Sequence, residues 1–262
     1  MIRRRPSRAL PTAWAMLACL VLAQIAYPLT GGAARARLTV VTVVLGYLLS
    51  VTHALLTRGP RTAVALVLVT TGGGLAVEAV GVATGVPFGD YDYSGGLGPK
   101  LLGVPLVIPL AWTWMAWPGW LAALRLTRSP AARIIVAGVG LATWDVFLDP
   151  QMVSAGYWTW HDPTPALPGV PGIPVGNYLG WLVVAVAMMG LLGLVGGAAP
   201  RPADADQPMY ALYLWTYASS VLAHAVFLDL PASAVWGGLA MALVALPLAV
   251  TLARPRRRAV PV

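Results

Sequence analysis

Eight stretches of the chain run without the polar interruptions of a water-facing helix, at roughly 11–30, 38–57, 62–82, 104–124, 131–149, 175–197, 209–228 and 233–253. About 20 helical residues cross a hydrocarbon core of about 30 Å, and each stretch is near that length. The runs are continuous rather than alternating, so barrel strands are not expected. The pattern predicts an all-α, polytopic membrane helix bundle of about eight transmembrane helices, forming one integral membrane domain over residues 1–262. Two connections break the general brevity, at roughly 83–103 and 150–174, and both are rich in Gly, Pro, Tyr and Trp. Long ordered loops usually carry function.

Composition agrees with lipid as the main solvent: 58% of residues are hydrophobic, 10% are charged, and the mean hydropathy is +0.76. The pI near 10.1 does not signal nucleic acid, because the cationic residues lie in short runs between apolar stretches rather than on one folded surface. No nucleic-acid partner is expected. The single cysteine, Cys19, has no partner for an intrachain disulfide or a thiolate metal cluster. Short cytoplasmic loops carry the excess of Lys and Arg. With both termini inside, the inner segments hold fourteen of the cationic residues, and the outer segments hold Arg35, Arg37 and Lys100. That bias predicts a multi-pass protein of the plasma membrane with both termini cytoplasmic.

On this topology Asp204 and Asp206 lie in an inner loop, and the other seven acids lie in outer loops or the outer halves of spans. Asp92 and Asp162 read as solvated or turn-forming. Glu78 differs, because it sits inside the third span in Gly-Leu-Ala-Val-Glu-Ala-Val-Gly. A carboxyl there must be paired, face a cavity or be protonated; the bland alternative is a helix-packing hydrogen bond. Asp145 and Asp149, at i and i+4 on the fifth span, share a helix face. Two like charges on an apolar face need a cation, a shared proton or water between them. Alternatively, Asp149 caps the turn at Pro150 in water and Asp145 alone is buried.

The histidines His53, His161 and His224 show no metal-ligand spacing, and a lone intramembrane histidine is more often a helix–helix hydrogen bond. His224 is a weak candidate for the outer cluster. Most of the eleven Trp and nine Tyr fit an interfacial belt. Even so, Tyr91, Tyr93, Trp112, Trp114, Trp144, Tyr157, Trp158, Trp160, Tyr178 and Trp181 crowd around the two long loops. Such rings can line a slot for a long apolar ligand or stabilise a developing cation.

Three blocks within residues 75 to 182 carry a resemblance. The first is Pro87-Phe88-Gly89-Asp90-Tyr91-Asp92-Tyr93, with Leu97-Gly98-Pro99, Gly103-Val104-Pro105 and Ile108-Pro109-Leu110-Ala111-Trp112. The second is Asp145-Val146-Phe147-Leu148-Asp149-Pro150-Gln151-Met152-Val153 with Gly156-Tyr157-Trp158-Thr159-Trp160. The third is Gly172-Ile173-Pro174-Val175-Gly176-Asn177-Tyr178-Leu179-Gly180-Trp181. Together, opened by Glu78, they resemble the CruF-type carotenoid biosynthesis proteins. The family pattern tends to place an aromatic residue before Gly-Ile-Pro, where this chain has Val170-Pro171. The first two and last two spans match in hydropathy alone.

The resemblance implies a membrane enzyme that hydrates the terminal double bond of an acyclic carotenoid end group, giving a tertiary alcohol. Its substrate would be a carotenoid held within the lipid bilayer, and association with other carotenoid-pathway enzymes would be natural. Such hydration needs a proton donor, stabilisation of a tertiary carbocation and a delivered water. It needs no redox cofactor, and no cofactor or metal is expected. The candidate catalytic residues are Glu78, Asp145, Asp149 and Asp90: Glu78 or Asp145 as the acid, Asp149 or Asp90 orienting water. Tyr91, Tyr93, Trp112, Trp144, Asn177 and Trp181 are candidate substrate-binding residues, with N-capping of the sixth span as the alternative role of Asn177. Two other readings compete. Asp145-x-x-x-Asp149 suits a UbiA-type membrane prenyltransferase with Mg²⁺-diphosphate, although a second aspartate-rich helix is missing. A transporter or scaffold could use the acids as an ion path, although inverted repeats are not evident.

Overall fold

A computed structural model describes residues 9–195 and 203–254. The arginines at positions 3, 4, 5, 8, 201, 256, 257 and 258, and the last two residues of the expected span 175–197, lie outside the described residues. The described residues form eight principal helices: α1 (Ala9–Ala26), α2 (Gly32–Arg58), α3 (Pro60–Thr84), α4 (Ile108–Leu126), α5 (Pro130–Ser154), α6 (Val175–Val195), α7 (Gln207–Leu222) and α8 (Pro231–Ala253). α3 contains a π-helical segment at Val67–Gly72, and α7 runs on as a π-helical turn at Ala223–Phe227. This is an all-α membrane bundle.

By length and composition, α1, α2, α3, α5, α6 and α8 are apolar enough to cross a membrane. Their outward faces carry exposed aliphatic side chains such as Leu22, Leu68, Leu194 and Leu243, the surface that lipid rather than water accepts. α4 is largely enclosed by protein, and α7 in part. Fourteen of the nineteen residues of α4 are buried, among them Trp112, Trp114, Trp117 and Trp120. α5 packs against α4, α6 and α8, and α4 also packs against α2 and α7.

The boundaries depart from the hydropathy pattern in two informative places. The expected span 104–124 starts late, at Ile108, because Val104–Pro105 forms a strand and Pro109 sits in the first turn, where its missing N–H costs nothing. The expected span 131–149 does not stop before Pro150; α5 continues to Ser154. An internal proline leaves the carbonyl four residues earlier without its helical donor. Here that carbonyl belongs to Val146, and Ser233 on α8 donates its hydroxyl to it at 3.0 Å. α4 repeats the device: Pro118 frees the Trp114 carbonyl, and Ser50 on α2 donates to it at 2.9 Å. Two serines thus let two central helices pass through prolines, and each pins a neighbouring helix in register.

The two long loops hold short antiparallel ladders. β1 (Tyr91–Tyr93) in the first loop pairs with β4 (Trp158–Trp160) in the second, in the register Tyr91↔Trp160 and Tyr93↔Trp158. β2 (Lys100–Leu101) pairs with β3 (Val104–Pro105), and β5 (Ala166–Leu167) with β6 (Val170–Pro174). The period-2 alternation of β1 and β4 buries Tyr91, Trp158 and Trp160, half-buries Tyr93, and leaves Asp92 and Thr159 exposed. The two loops are therefore one clasp over the ends of α3, α4, α5 and α6.

At the opposite end of the bundle His53 accepts from Trp117 Nε1 at 3.0 Å and bonds the Ala205 carbonyl at 2.8 Å, while Arg58 pairs with Asp206 at 2.7 Å. His53 is a helix-to-loop tie, far from the aromatic clasp. Replacing Ser50 with Ala should leave the buried Trp114 carbonyl without a donor. Thermal unfolding in detergent should then show a destabilisation of about 1–3 kcal/mol.

Candidate active site

Under the clasp, α3, α4, α5 and α6 each contribute side chains to one buried polar cluster. Glu78 on α3 is 3% exposed, and its carboxylate accepts three hydrogen bonds. Tyr91 Oη and Tyr93 Oη donate to Oε2 at 2.6 and 2.8 Å, and Trp112 Nε1 donates to Oε1 at 3.0 Å. Both phenols come from β1, where the strand alternation aims them at the same side. Burial and the neighbouring Glu78 push the Tyr91 and Tyr93 phenols well above the usual tyrosine range, so both remain donors. The close approach of Tyr91 depends on Gly81, one turn from Glu78, where a Cβ would fall 2.9 Å from the phenol oxygen.

Asp145 and Asp149 are both buried, which removes the alternative of a water-facing Asp149 at Pro150. One amide ties them together: Asn177 Nδ2, in the first turn of α6, donates to Asp145 Oδ2 at 3.1 Å and also to Asp149 Oδ2. Asn177 therefore bridges carboxyls rather than capping its helix. Trp158 Nε1 from β4 donates to Asp149 Oδ1 at 3.1 Å. Asp145 and Asp149 also meet each other as hydrogen-bond partners, the arrangement of two carboxyls that share a proton. The clasp and the acids are thus interdependent, since β1 supplies donors to Glu78 and β4 supplies one to Asp149.

Beside this cluster lies a cavity of about 130 Å³. Glu78, Asp149 and Asn177 line it, together with the rings of Tyr91, Tyr93, Trp112, Trp144 and Trp181. Trp112 and Trp181 stack face to face, with centroids 3.8 Å apart and planes 4° from parallel. Trp144 meets Trp114 edge-on at 5.2 Å. The cavity also reaches residues beyond the three sequence blocks: Gln24 on α1, Tyr27 just after it, Thr39 on α2, and Thr216, Ser219 and Ser220 on α7, which join Gln151 of the second block. Sequence reasoning missed this second wall. The available signal was a set of polar residues within otherwise apolar runs, with nothing in the one-dimensional pattern to bring them to one place.

Of the residues singled out from sequence, Glu78, Asp145, Asp149, Tyr91, Tyr93, Trp112, Trp144, Asn177 and Trp181 come together. Asp90 does not. It is exposed, it does not line the cavity, and its backbone carbonyl accepts from the His161 N–H at 2.9 Å. Its place next to Tyr91 explains this, because strand alternation sends neighbours to opposite sides. Asp92 pairs with exposed His161 at 2.9 Å, and Asp162 accepts from Thr164 in a local turn, both at the surface.

Fold and site together define the class: a multi-pass membrane protein whose helices enclose an aromatic cavity bordered by buried carboxyl groups. Residues 38–249 match the family described as carotenoid biosynthesis protein, and the chain belongs to that family. Over 112 residues it is 34% identical to bisanhydrobacterioruberin hydratase from Haloarcula japonica, an alignment covering 41% of this chain and 36% of that protein. The match thus spans about a third of the relative's length. No solved structure matches the chain.

Replacing Asn177 with Leu removes the donor that Asp145 and Asp149 share. Detergent unfolding should register a loss of about 1–3 kcal/mol, whereas Asp90→Asn at the surface should stay within about 0.5 kcal/mol of wild type.

Proposed function

We propose that this protein is a carotenoid hydratase that adds water to the terminal C=C bond of an acyclic carotenoid end group. The observation that carries the reading is the meeting, in one cavity, of buried carboxyl groups and stacked aromatic rings, in a chain of the carotenoid biosynthesis family. The polyene lies in the bilayer and its end group enters the cavity beneath the loop clasp, where water is within reach.

The chemistry follows from what each wall can do. The O–H bond of a carboxylic acid breaks and a C–H bond forms at the less substituted alkene carbon, leaving a tertiary carbocation. A water oxygen then forms the C–O bond, and its surplus proton returns to the carboxylate, for a net gain of one water. Asp149 faces the cavity with Asp145 behind it, and this pair is assigned as the proton donor. Glu78, accepting from three donors, supplies negative charge toward the cation. The faces of Trp112 and Trp181 and the ring of Tyr91 add quadrupole stabilisation, about 0.5–2 kcal/mol each when desolvated. Asp90 has no role in this scheme. No step requires a redox cofactor.

The excess of Lys and Arg between spans supports cytoplasmic termini in the plasma membrane, with the clasp on the outer side. A substrate confined to the bilayer favours association with enzymes that act before and after it on the same polyene.

Expression in carotenoid-producing bacteria tests the reading by pigment mass spectrometry, with lycopene-like, monocyclic and longer C50 acyclic-ended carotenoids. The wild type should add one water per reactive end group. At equal membrane abundance, Asp149→Asn should reduce the hydrated product by about 10²–10⁴-fold, the usual range for acid–base groups, and Glu78→Gln by about 10²–10³-fold, the scale of removing one electrostatic stabiliser. No hydrated product from any of these carotenoids would refute the hydratase.

A further inference from the structure

The second wall of the cavity carries a hydrogen-bond chain whose direction can be deduced from one end. Ser233 Oγ lies 3.0 Å from the Val146 carbonyl and 2.9 Å from His224 Nδ1. It has one hydrogen to give. The carbonyl, freed by Pro150, can only accept, so the serine hydrogen goes there and Nδ1–H of His224 donates to the serine oxygen. In the neutral imidazole this leaves Nε2 bare. The Gln151 amide, whose Oε1 position is 3.2 Å from Nε2, is satisfied when a half-turn puts its NH₂ there; oxygen and nitrogen of an amide are assigned by such accounting. The same half-turn points Gln151 Oε1 toward its other partner, Tyr27, whose hydroxyl can then donate to it. The chain runs from Tyr27 through Gln151, His224 and Ser233 to the Val146 carbonyl, each group spending one hydrogen in the same direction.

This ordering fixes what the wall offers. His224 and Ser233 are fully buried and committed, so they hold Gln151 in place. Gln151 and Tyr27 both line the cavity, where the amide offers an unspent hydrogen and the phenol, which also meets Thr39, offers its oxygen: a donor and an acceptor side by side. Two further polar atoms of the cavity lining, Trp114 Nε1 and Thr216 Oγ1, are buried without a hydrogen-bond partner among the described residues. Buried polar groups in such numbers mark a place for water. Asp149 and Gln151 are two residues apart on α5, hence on different sides of the helix, yet both line the cavity. An end group seated between them would have the acid on one side and the polar wall on another.

Resting on the hydratase reading, we propose that Gln151 and Tyr27 form the site that holds the water molecule captured by the carbocation. They are positioning residues for the nucleophile, separate from the acid cluster that delivers the proton.

Deuterium oxide separates the two halves of the reaction. Protonation from a deuterated carboxyl places deuterium on carbon, after which the cation either takes up water or returns to an alkene by losing H⁺ or D⁺. Wild type in membranes should give deuterated hydrate. Gln151→Ala and the milder Tyr27→Phe should lower hydrate by about 10²-fold, the scale of a misplaced reactant, while deuterium still enters the recovered or isomerised carotenoid. Asp149→Asn should abolish both. Hydrate formation unchanged in both variants, or hydrate and deuterium uptake falling together in both, would overturn the water site. A wild type that makes no hydrate speaks against the hydratase reading instead.

Discussion

Three carboxyl groups buried within a lipid-embedded bundle set the terms for everything around them. Lipid offers nothing to solvate them, so their oxygens need donors or a proton from within the protein. Helix backbones supply none, because their N–H groups are spent within the helix. The donors come from indoles, phenols and one side-chain amide: Trp112, Tyr91 and Tyr93 on Glu78, Trp158 and Asn177 on Asp149, Asn177 again on Asp145. These aromatic side chains serve twice, covering the site with apolar surface and presenting a polar tip to the carboxylate. A ladder of only three residue pairs between distant loops is what aims three of those rings, Tyr91, Tyr93 and Trp158, inward.

The helix scaffold meets its own version of the same demand. Prolines in α4 and α5 free two carbonyls in the middle of the protein, and serines from α2 and α8 satisfy them. The consequence at α5 reaches the cavity. Because Pro150 does not end the helix, Gln151 stays helical and close to Asp149, and because Ser233 is occupied by Val146, His224 is left with one orientation of its hydrogen. A backbone defect is thereby converted into a directed chain ending at the cavity wall.

This arrangement gives the cavity unlike sides. Toward α3 and α6 it presents carboxyls and stacked rings, which suit proton delivery and a cation. Toward α1 and α7 it presents amide, phenol and hydroxyl groups, which suit water. An addition across a double bond requires that its two reagents be kept apart until the alkene lies between them; otherwise the acid is merely hydrated and loses its strength toward carbon.

The sequence by itself determined the membrane bundle, the approximate place of all eight helices and most of the acid cluster. Apolar runs of bilayer length leave the backbone no alternative to helix, and a carboxyl amid such residues declares itself, as Glu78 and the Asp145–Asp149 pair did. Hydropathy alone misjudged Pro150, since whether a proline ends a helix depends on a hydroxyl arriving from 87 positions away. It likewise could not separate Asp90 from Tyr91, because their opposite fates rest on a strand pairing with β4 that is invisible in the first loop read alone. Only the tertiary structure decided that Gln151, His224 and Tyr27 act together: nothing in the chain joins a glutamine in the second sequence block, a lone intramembrane histidine and a tyrosine beyond α1, and the packing of α1, α5, α7 and α8 brings the three into one hydrogen-bonded line.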